Sequence, residues 1–219
     1  QVYAANQRTV VVLVASFPYA INWASEHIPA IVHAVHNSDA EGTGIADVLF
    51  GDYNPAGRLV VTWPRSLDQL PPMMDYNLRD GRTYMYFKST PLYAFGYGLS
   101  YTNFAYADMK ISAKQMRVGA PVTVSVNVTN TGSRDGDEVV QLYVRHLDSK
   151  VERPLLELKG FKRVPVAHRK TQKVQFLLTP EALEYLNESS QLWELEADRV
   201  EILIGRSSAA IELRETIDI

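Results

Sequence analysis

The sequence predicts a chain of mixed class, in which part of an α/β domain is followed by an antiparallel β-sandwich. Near the N terminus, an unbroken run of β-branched residues is followed by a helical pattern. From about residue 108 the apolar residues recur with a period of two, in several short runs separated by turn sequences. Between the two parts lies an aromatic-rich stretch with no sustained period. A change from mixed helix and strand signals to alternating strands alone is typical of two consecutive domains of different class.

The first part, residues 1–75, has the order of elements expected of a parallel sheet. "TVVVLVAS" at 9–16 shows no alternation and predicts a strand buried on both faces, and "PAIVHAV" at 29–35 predicts a second strand. "GTGIADVLFG" places apolar residues at i, i+3 and i+4 and ends on Gly51, so we expect a short helix with a glycine stop. Two strands are too few for a doubly wound sheet. We therefore expect the beginning of this α/β domain to lie upstream.

Residues 108–219 carry the alternation expected of an antiparallel β-sandwich. In four runs, apolar side chains fall on one face of the strand and mainly polar ones on the other. The residues predicted to face the core are Val122, Val124, Val126, Val128, Val140, Leu142, Val144, Val174, Phe176, Leu178, Val200, Ile202 and Ile204. "TPEALEYLNE" interrupts the strands and predicts a helical turn, with Thr179 as N-cap and Pro180 at the first helical position.

The stretch between the two parts, residues 76–107, is predicted to be an interdomain strap. The stretch from 71 to 104, which includes most of the strap, is rich in Tyr, Phe, Gly and Pro, and these aromatic rings need surfaces to bury against, which argues against disorder. The favoured interpretation is that it packs the two domains together. Its tyrosines and arginines also suit contacts to a sugar or to a neighbouring subunit.

The composition excludes several classes of function. With 22 basic and 25 acidic residues the net charge is −3, so nothing indicates binding to nucleic acid. The longest apolar run is far too short to span a bilayer, and we predict no membrane partner. Cysteine is absent, which rules out disulfides and thiolate metal sites. We predict neither a metal nor a cofactor.

Several long motifs resemble the C-terminal half of glycoside hydrolase family 3. In the first part and the strap they are "GIADVLFGDYNPAGRLVVTWPRSLDQLP", "GRTYMYF" and "PLYAFGYGLSYTNF". In the second part "VTVSVNVTNTGSRDGDEVVQLYV", "RPLLELKGFKRV" and "FLLTPEALEYLN" resemble the immunoglobulin-like, fibronectin type III-like domain that closes many members. The resemblance covers essentially the whole chain. It is closest to the β-glucosidase and β-xylosidase branches.

The resemblance implies that the catalytic residues lie outside this chain. Members of the family are retaining, exo-acting β-glycosidases, with an aspartate nucleophile on a preceding TIM barrel and usually a glutamate acid/base in the α/β sandwich domain. Both positions fall upstream of the segment matched here. The implied partners are that N-terminal TIM barrel and the rest of the α/β domain, from the same precursor or as a separate chain. An oligosaccharide substrate, a possible homo-oligomer and a periplasmic or secreted location follow from the resemblance alone.

The loop "HNSDAEGTG", residues 36–44, is the most concentrated set of polar residues. A Ser/His/Asp triad is disfavoured because the loop lacks a nucleophile elbow, and His33 and His36 lack further ligands for a metal. The favoured interpretation is a capping box between Ser38 and Glu41, with Gly42 and Gly44 allowing close approach of neighbouring backbone. Because this loop follows a strand of an α/β sheet, a place at the edge of a ligand pocket stays open as well.

Four residues are candidates for substrate binding or for the pocket edge. Asp39 and Glu41 lie in the loop after the second strand, and Arg82 and Tyr84 lie in the strap. Carboxylates that alternate with arginines in the strap, such as Asp75, are more often ion-paired at an interface than catalytic. Among the tryptophans, Trp63 is predicted to pack in the α/β part and Trp193 on the sandwich. Asp135, Asp137 and Glu138 lack the spacing of a calcium loop and predict a loop connection instead.

Two other functions stay open at this point. One is a stand-alone carbohydrate-binding or adhesion module without hydrolase activity, which would need an exposed aromatic platform on the sandwich. The alternating strands place mainly Thr, Ser, Asn, Gln and Arg outward, and this pattern counts against it. The other is a complete small α/β enzyme, which the sequence disfavours because no nucleophile-and-base set is present.

Overall fold

The computed structural model describes residues 1–36 and 39–219, and its N-terminal part is a small α/β unit. Its elements are α1 (Val2–Ala5), β1 (Val10–Val14), α2 (Asn22–His27), β2 (Ala30–Ala34) and α3 (Glu41–Phe50). The two strands pair in parallel, with Val10 opposite Ala30, as the apolar runs predict. Gly51 adopts a left-handed φ of 83° and ends α3, which confirms the predicted glycine stop. No helix among the described residues is long and apolar enough to cross a membrane.

One face of β1 is open to solvent. Val10, Val12 and Val14 are between 38 and 45% exposed, whereas Val11 and Leu13 on the other face are half-buried. The prediction of burial on both faces is therefore wrong for this chain, because no described element packs against that side. An apolar strand face of this kind needs a covering layer to be stable in water.

The C-terminal part is a two-sheet antiparallel sandwich, as predicted. A four-stranded sheet has the order β11-β10-β5-β6, a three-stranded sheet has the order β3-β4-β7, and β8 pairs with β9 in a separate hairpin. The strands are β3 (Phe104–Ile111), β4 (Val122–Asn130), β5 (Gly136–His146), β6 (Glu157–Val166), β7 (Thr171–Leu178), β8 (Tyr185–Asn187), β9 (Leu192–Glu194), β10 (Arg199–Ser207) and β11 (Ala210–Asp218).

The core between the two sheets consists of the residues that the alternation predicts. All thirteen predicted core residues belong to one buried cluster, which also includes Phe104, Met116, Val166, Leu183 and Ile217. The helical turn is a short 3-10 helix at Pro180–Leu183, and the hairpin of β8 and β9 follows it. Sequence analysis did not predict this hairpin. Trp193 lies on it and is 67% exposed, so the expectation that Trp193 packs on the sandwich is wrong.

Residues 51–103, which we call the connecting segment, link α3 to β3 with two 3-10 turns, Leu67–Gln69 and Leu78–Asp80. The segment lies against the four-stranded sheet on the face away from the core. There a second buried cluster forms, in which Tyr84 and Phe95 pack against Tyr143, Leu156 and Leu203. The backbone follows the same surface, since Leu155 N donates to Met85 O at 2.7 Å and Ser208 N donates to Phe95 O at 2.9 Å.

Two carboxylates, the buried Asp198 and the half-buried Glu196, shape the loop between β5 and β6. Asp198 accepts a hydrogen bond from His146 Nδ1 at 2.7 Å and another from the backbone N–H of Asp148 at 2.8 Å. Glu196 accepts from Lys150 N at 2.6 Å and from Arg153 Nη2 at 3.3 Å. Because the side chains of His146 and Asp198 are 3% and 0% exposed, this loop is attached to the sandwich by interactions shielded from water.

The protonation of His146 makes the sandwich sensitive to pH. Burial lowers the pKa of His146 below its ordinary value, and the hydrogen bond to Asp198 offsets only part of that effect. As the pH falls below about 6.5, the unfolded chain takes up this proton before the folded chain does, so the free energy of unfolding decreases. We expect urea titrations of His146→Asn to show a smaller loss of stability on acidification than the unaltered chain. The exposed His27→Asn is the control and keeps the full loss, whereas equal pH dependence in all three proteins would contradict this assignment.

Candidate functional site

The carboxyl end of the two parallel strands carries a small polar cluster. Ser16 Oγ lies 3.0 Å from His36 Nδ1, and His33 Nε2 donates to Ala15 O at 2.9 Å. The His33 ring also packs edge-on against Trp63, with centroids 5.1 Å apart, and Trp63 is 2% exposed. The expectation that Trp63 packs in the α/β part is confirmed. His33 thus has a structural role, and no three potential metal ligands cluster in the part of the chain that the structure describes.

Asp39 and Glu41 lie where the chain enters α3. Asp39 is exposed in the preceding turn, and Glu41 is the first residue of the helix, with Oε1 buried and without a hydrogen-bond partner among the described residues. The residue before the helix is Ala40, which supplies no side-chain cap, and Ser38 of the predicted capping box lies outside the described residues. A carboxylate in the first turn of a helix interacts favourably with the positive end of the helix dipole. A Cβ added at Gly42 or Gly44 would meet nothing within 4 Å, so the expected close backbone approach is wrong for this chain.

Arg82 holds the strap loop together through the backbone. Its Nη2 donates to the carbonyl oxygens of Pro72 and Asp75, both at 2.8 Å, while its Nε is buried without a partner among the described residues. The Asp75 carboxylate accepts from Asn77 N at 2.9 Å and does not pair with an arginine. Arg79 instead approaches Glu152 of the β5–β6 loop at 3.6 Å. The expectation of ion pairing at an interface is therefore wrong for Asp75, whereas Arg79 does form an ion pair with the sandwich through Glu152.

Tyr84 joins the strap to the sandwich. Its ring stacks on Phe95 with centroids 4.2 Å apart and meets Tyr143 edge-on at 6.2 Å. Its hydroxyl oxygen accepts a hydrogen bond from Leu158 N at 2.9 Å, and burial raises the pKa of this tyrosine. Tyr84 also lines a cavity of about 220 Å³ between the connecting segment and the four-stranded sheet. It thus combines an interdomain contact with a place at the edge of a cavity.

The strongest polar contact between the two parts was not predicted. Arg58 of the connecting segment pairs with Glu138 of β5 at 3.1 Å, and Tyr106 of β3 donates to the same carboxylate at 2.8 Å. The side chains of Arg58 and Glu138 are only 8% and 1% exposed. Burial raises the pKa of Glu138, and the Arg58 guanidinium partly offsets that rise. Glu138 lies two positions before Val140, so its side chain points to the same, inward face of β5. This spacing was the only feature of the sequence that indicated burial of Glu138.

A second set of contacts needs glycine in the connecting segment. Gln141 Nε2 donates to the carbonyl oxygens of Gly96 and Arg206, at 3.1 and 2.6 Å. Tyr143 Oη donates to Gln141 Oε1 at 2.5 Å. Gly96 has a φ of 80°, and a Cβ there would lie 2.1 Å from Gln141 Oε1, so any other residue would strain the backbone and displace the Gln141 amide from its hydrogen bonds.

The four candidate residues therefore fall into two separate groups, Asp39 with Glu41 and Arg82 with Tyr84. No hydrogen bond among the described residues joins the two groups. Neither group contains a nucleophile held against a base, which acid–base or nucleophilic catalysis would require. The geometry is that of a supporting and docking unit with carboxylates at a sheet edge.

Comparisons with known proteins identify the class of this unit. Residues 1–101 match the model of the glycosyl hydrolase family 3 C-terminal domain, and residues 138–208 match that of the fibronectin type III-like domain. The chain is 39% identical over 212 residues to the xylan 1,4-beta-xylosidase of Xylanibacter ruminicola, covering 97% of this chain and 24% of that protein. It is 37% identical to the thermostable beta-glucosidase B of Acetivibrio thermocellus, covering 95% of this chain and 29% of that protein.

Solved structures agree over nearly the whole chain. The Beta-D-glucoside glucohydrolase from Trichoderma reesei superposes with a TM-score of 0.90 at 28% identity, over 99% of this chain and 34% of that one. The beta-glucosidase from Kluyveromyces marxianus in complex with glucose superposes with a TM-score of 0.90 at 33% identity, over 100% of this chain and 27% of that one. The chain belongs to glycoside hydrolase family 3, as the sequence motifs predict. It corresponds to the C-terminal portion of its relatives, and spans about a quarter to a third of their length.

The buried pair between Arg58 and Glu138 is expected to dominate the attachment of the connecting segment. Arg58→Met leaves a carboxylate buried without its cation, which costs about 3–5 kcal/mol of unfolding free energy. Arg163→Met is the matched control, because Arg163 pairs with the neighbouring Asp137 in a half-exposed position, where loss of an ion pair costs about 1 kcal/mol or less. Urea denaturation measures both.

The double variant Arg58→Met/Glu138→Gln separates charge from packing. Removing the carboxylate's charge is expected to recover part of the stability lost in Arg58→Met. A double variant as unstable as Arg58→Met, or equal losses for Arg58→Met and Arg163→Met, would contradict the assignment.

Proposed function

We propose that the whole protein is a retaining, exo-acting β-glycosidase that releases glucose or xylose from oligosaccharides, and that this chain completes and stabilises its active site. The similarity to beta-glucosidases and beta-xylosidases three to four times longer supports this. The observation that carries the proposal is the uncovered apolar side of the α/β unit, next to a sandwich whose core is fully formed. A chain with a complete sandwich core and an uncovered apolar strand face is suited to docking on a larger structure.

The proposed catalytic pair is supplied by that larger structure. In a retaining mechanism two carboxyl groups about 5–5.5 Å apart act as nucleophile and as acid/base. The resemblance to family 3 puts the nucleophilic aspartate on a TIM barrel and the acid/base glutamate in the α/β domain, both upstream of this chain. This chain then contributes the last strands of the α/β sheet and the sandwich that supports them.

The docking surface extends beyond β1 into the α/β unit and the connecting segment. Its large exposed apolar residues are Val10, Val12, Val14, Phe17, Trp23, Phe50, Val60, Leu67, Met73, Met74 and Tyr76. So many large exposed apolar side chains are unusual on a free-standing protein and favour burial at an interface. In the proposal, the rest of the α/β domain and the TIM barrel cover these residues.

Asp39 and Glu41 are proposed to lie at the pocket edge of the assembled enzyme. They follow β2 at the carboxyl end of a parallel sheet, where ligands of α/β folds gather. The Oε1 atom of Glu41 is buried and has no hydrogen-bond partner in the part of the chain that the structure describes, which supports a role beyond its interaction with the helix dipole. Arg82 and Tyr84 remain in the proposal as pocket-edge residues that act through the strap, because Arg82 binds carbonyl oxygens and Tyr84 is anchored to β6.

The 219-residue chain alone is expected to show no turnover of aryl β-glucosides or aryl β-xylosides, because it contains no pair of catalytic carboxylates. The control is a chimaera in which the upstream portion of the Acetivibrio thermocellus relative precedes this chain, and it is expected to be active. Clear hydrolysis by the pure chain, measured by release of the aryl alcohol, would overturn the proposal.

In such an assembled enzyme, Asp39→Asn and Glu41→Gln are expected to raise KM for short oligosaccharides by about tenfold, while kcat stays within a factor of two to three. A carboxylate that contacts a sugar hydroxyl contributes to binding in the ground and transition states alike, which is why KM changes. Glu188→Gln, on the exposed β8–β9 hairpin, is the control and leaves both constants unchanged. An unchanged KM in both variants would contradict the proposal that Asp39 and Glu41 lie at the pocket edge.

A further inference from the structure

A second cavity lies on the sandwich, at the end of β5. It has a volume of about 470 Å³, within the range of small-molecule sites, and is lined by residues of β5 and of the loop that follows it. The lining residues are Arg145, His146, Leu147, Ser149, Val151, Arg153, Pro154 and Leu155. Arg145 and Leu155 also line the smaller cavity beside Tyr84, so Arg145 stands between the two.

The lining of this cavity is rich in hydrogen-bond donors and contains no carboxylate. Two guanidinium groups and an imidazole belong to it, whereas their acidic partners Glu201, Asp198 and Glu196 do not. The other lining residues include four apolar ones, which are Leu147, Val151, Pro154 and Leu155. A ligand that matches this lining carries a negative group and an apolar face.

His146 is held in one orientation. Its Nδ1 is used by the buried Asp198 at 2.7 Å, and no described residue bonds to Nε2. Because Asp198 also binds the N–H of Asp148, the imidazole and the cavity rim share one rigid support. Since the His146 side chain is only 3% exposed, its role is to fix the position of the cavity rim and not to offer an atom to a ligand.

Arg145 keeps donors to spare. Its Nε donates to Leu155 O at 3.2 Å and its Nη1 to Glu201 at 3.3 Å, and Nη2 has no hydrogen bond to a described residue. The side chain is 44% exposed, so a ligand can reach it. A guanidinium is suited to a carboxylate or a phosphate, because two of its N–H groups can bind two oxygens at once. Arg153 is less available, since all three of its nitrogens already donate.

We propose that this cavity binds a monosaccharide-sized acid, a sugar that carries a carboxylate or a phosphate group. The acidic group binds Arg145, and the apolar face of the sugar ring lies against Leu147, Val151 and Leu155. The site lies on the sandwich, among residues that take no part in the proposed pocket edge. Its occupation does not depend on the catalytic carboxylates.

Isothermal titration calorimetry of the 219-residue chain with glucuronate, glucose 6-phosphate, inorganic phosphate and glucose tests this proposal. Glucuronate is expected to bind in the millimolar range or tighter and glucose not measurably. Arg145→Gln is expected to weaken glucuronate binding by about 10- to 100-fold, the value of a charge-assisted hydrogen bond. Arg163→Gln, a similarly exposed arginine that pairs with Asp137 on the neighbouring strand, is the control and leaves binding unchanged.

His146→Asn is a second control, because the His146 side chain is 3% exposed and supports the cavity rim without offering an atom to a ligand. The asparagine amide takes the place of imidazole Nδ1 and can still donate to Asp198. We expect this variant to unfold at nearly the same urea concentration as the unaltered chain at neutral pH and to bind glucuronate as tightly, and a loss of binding equal to that of Arg145→Gln would contradict the assignment.

The four ligands also identify the source of the negative charge. Binding of glucose 6-phosphate and of inorganic phosphate that is tighter than that of glucuronate and depends on Arg145 supports the site and assigns it to phosphate. The proposal is overturned by equal binding of glucose and glucuronate, by binding that Arg145→Gln leaves unchanged or that Arg163→Gln weakens as much, and by absence of heat with every ligand.

Discussion

The structure depends on the fact that β5 is buried on both faces. Its inward face supplies the sandwich core, and its outward face is covered by the connecting segment, so that Gln141 and Tyr143 are as inaccessible as Val140 and Leu142. Polar groups buried in this way must be hydrogen-bonded, and Gln141 meets that need through Arg206 and Tyr143 of the sandwich and through the carbonyl oxygen of Gly96, where the connecting segment passes over it. The sandwich and the connecting segment therefore need each other: without the segment, a polar and aromatic strand face would be exposed, and without the strand the segment would have no surface to order it.

The pair of Arg58 and Glu138 adds direction to this packing. A buried ion pair contributes little net stability compared with apolar residues of the same volume, because both charges lose their hydration. Breaking one, however, is costly, so every register of the segment that fails to bring Arg58 to Glu138 is penalised. The Tyr106 hydroxyl binds the same carboxylate from β3, which belongs to the other sheet. One carboxylate thus fixes the position of three elements, and we interpret its role as specificity of docking.

The sequence predicted the sandwich well because its signal is local. Alternation of apolar residues such as Val124, Val126 and Val174 needs no knowledge of the partner strand to assign a face. Prediction from the sequence failed where the burial of a residue depends on a second surface that packs against it. Glu138 has the parity of a core residue but looked like part of a polar loop, since only the approach of Arg58 makes its burial possible. Trp193 looked like a packing residue, yet the short hairpin that carries it faces solvent. The orientation of Asp39 and Glu41 depends in the same way on what covers the loop after β2.

The two halves of the chain differ in a way that fits a supporting role. The sandwich completes its own core and holds its own β5–β6 loop through Asp198 and Glu196. The α/β unit leaves the valines of one β1 face exposed, and Glu41 keeps a buried oxygen without a described partner. The connecting segment is fixed to the sandwich at Arg58, Tyr84 and Gly96. The sandwich can therefore hold the α/β unit, whose apolar face is uncovered, in position. The strands that face a catalytic pocket then owe their alignment to a domain that does not itself need to touch the substrate.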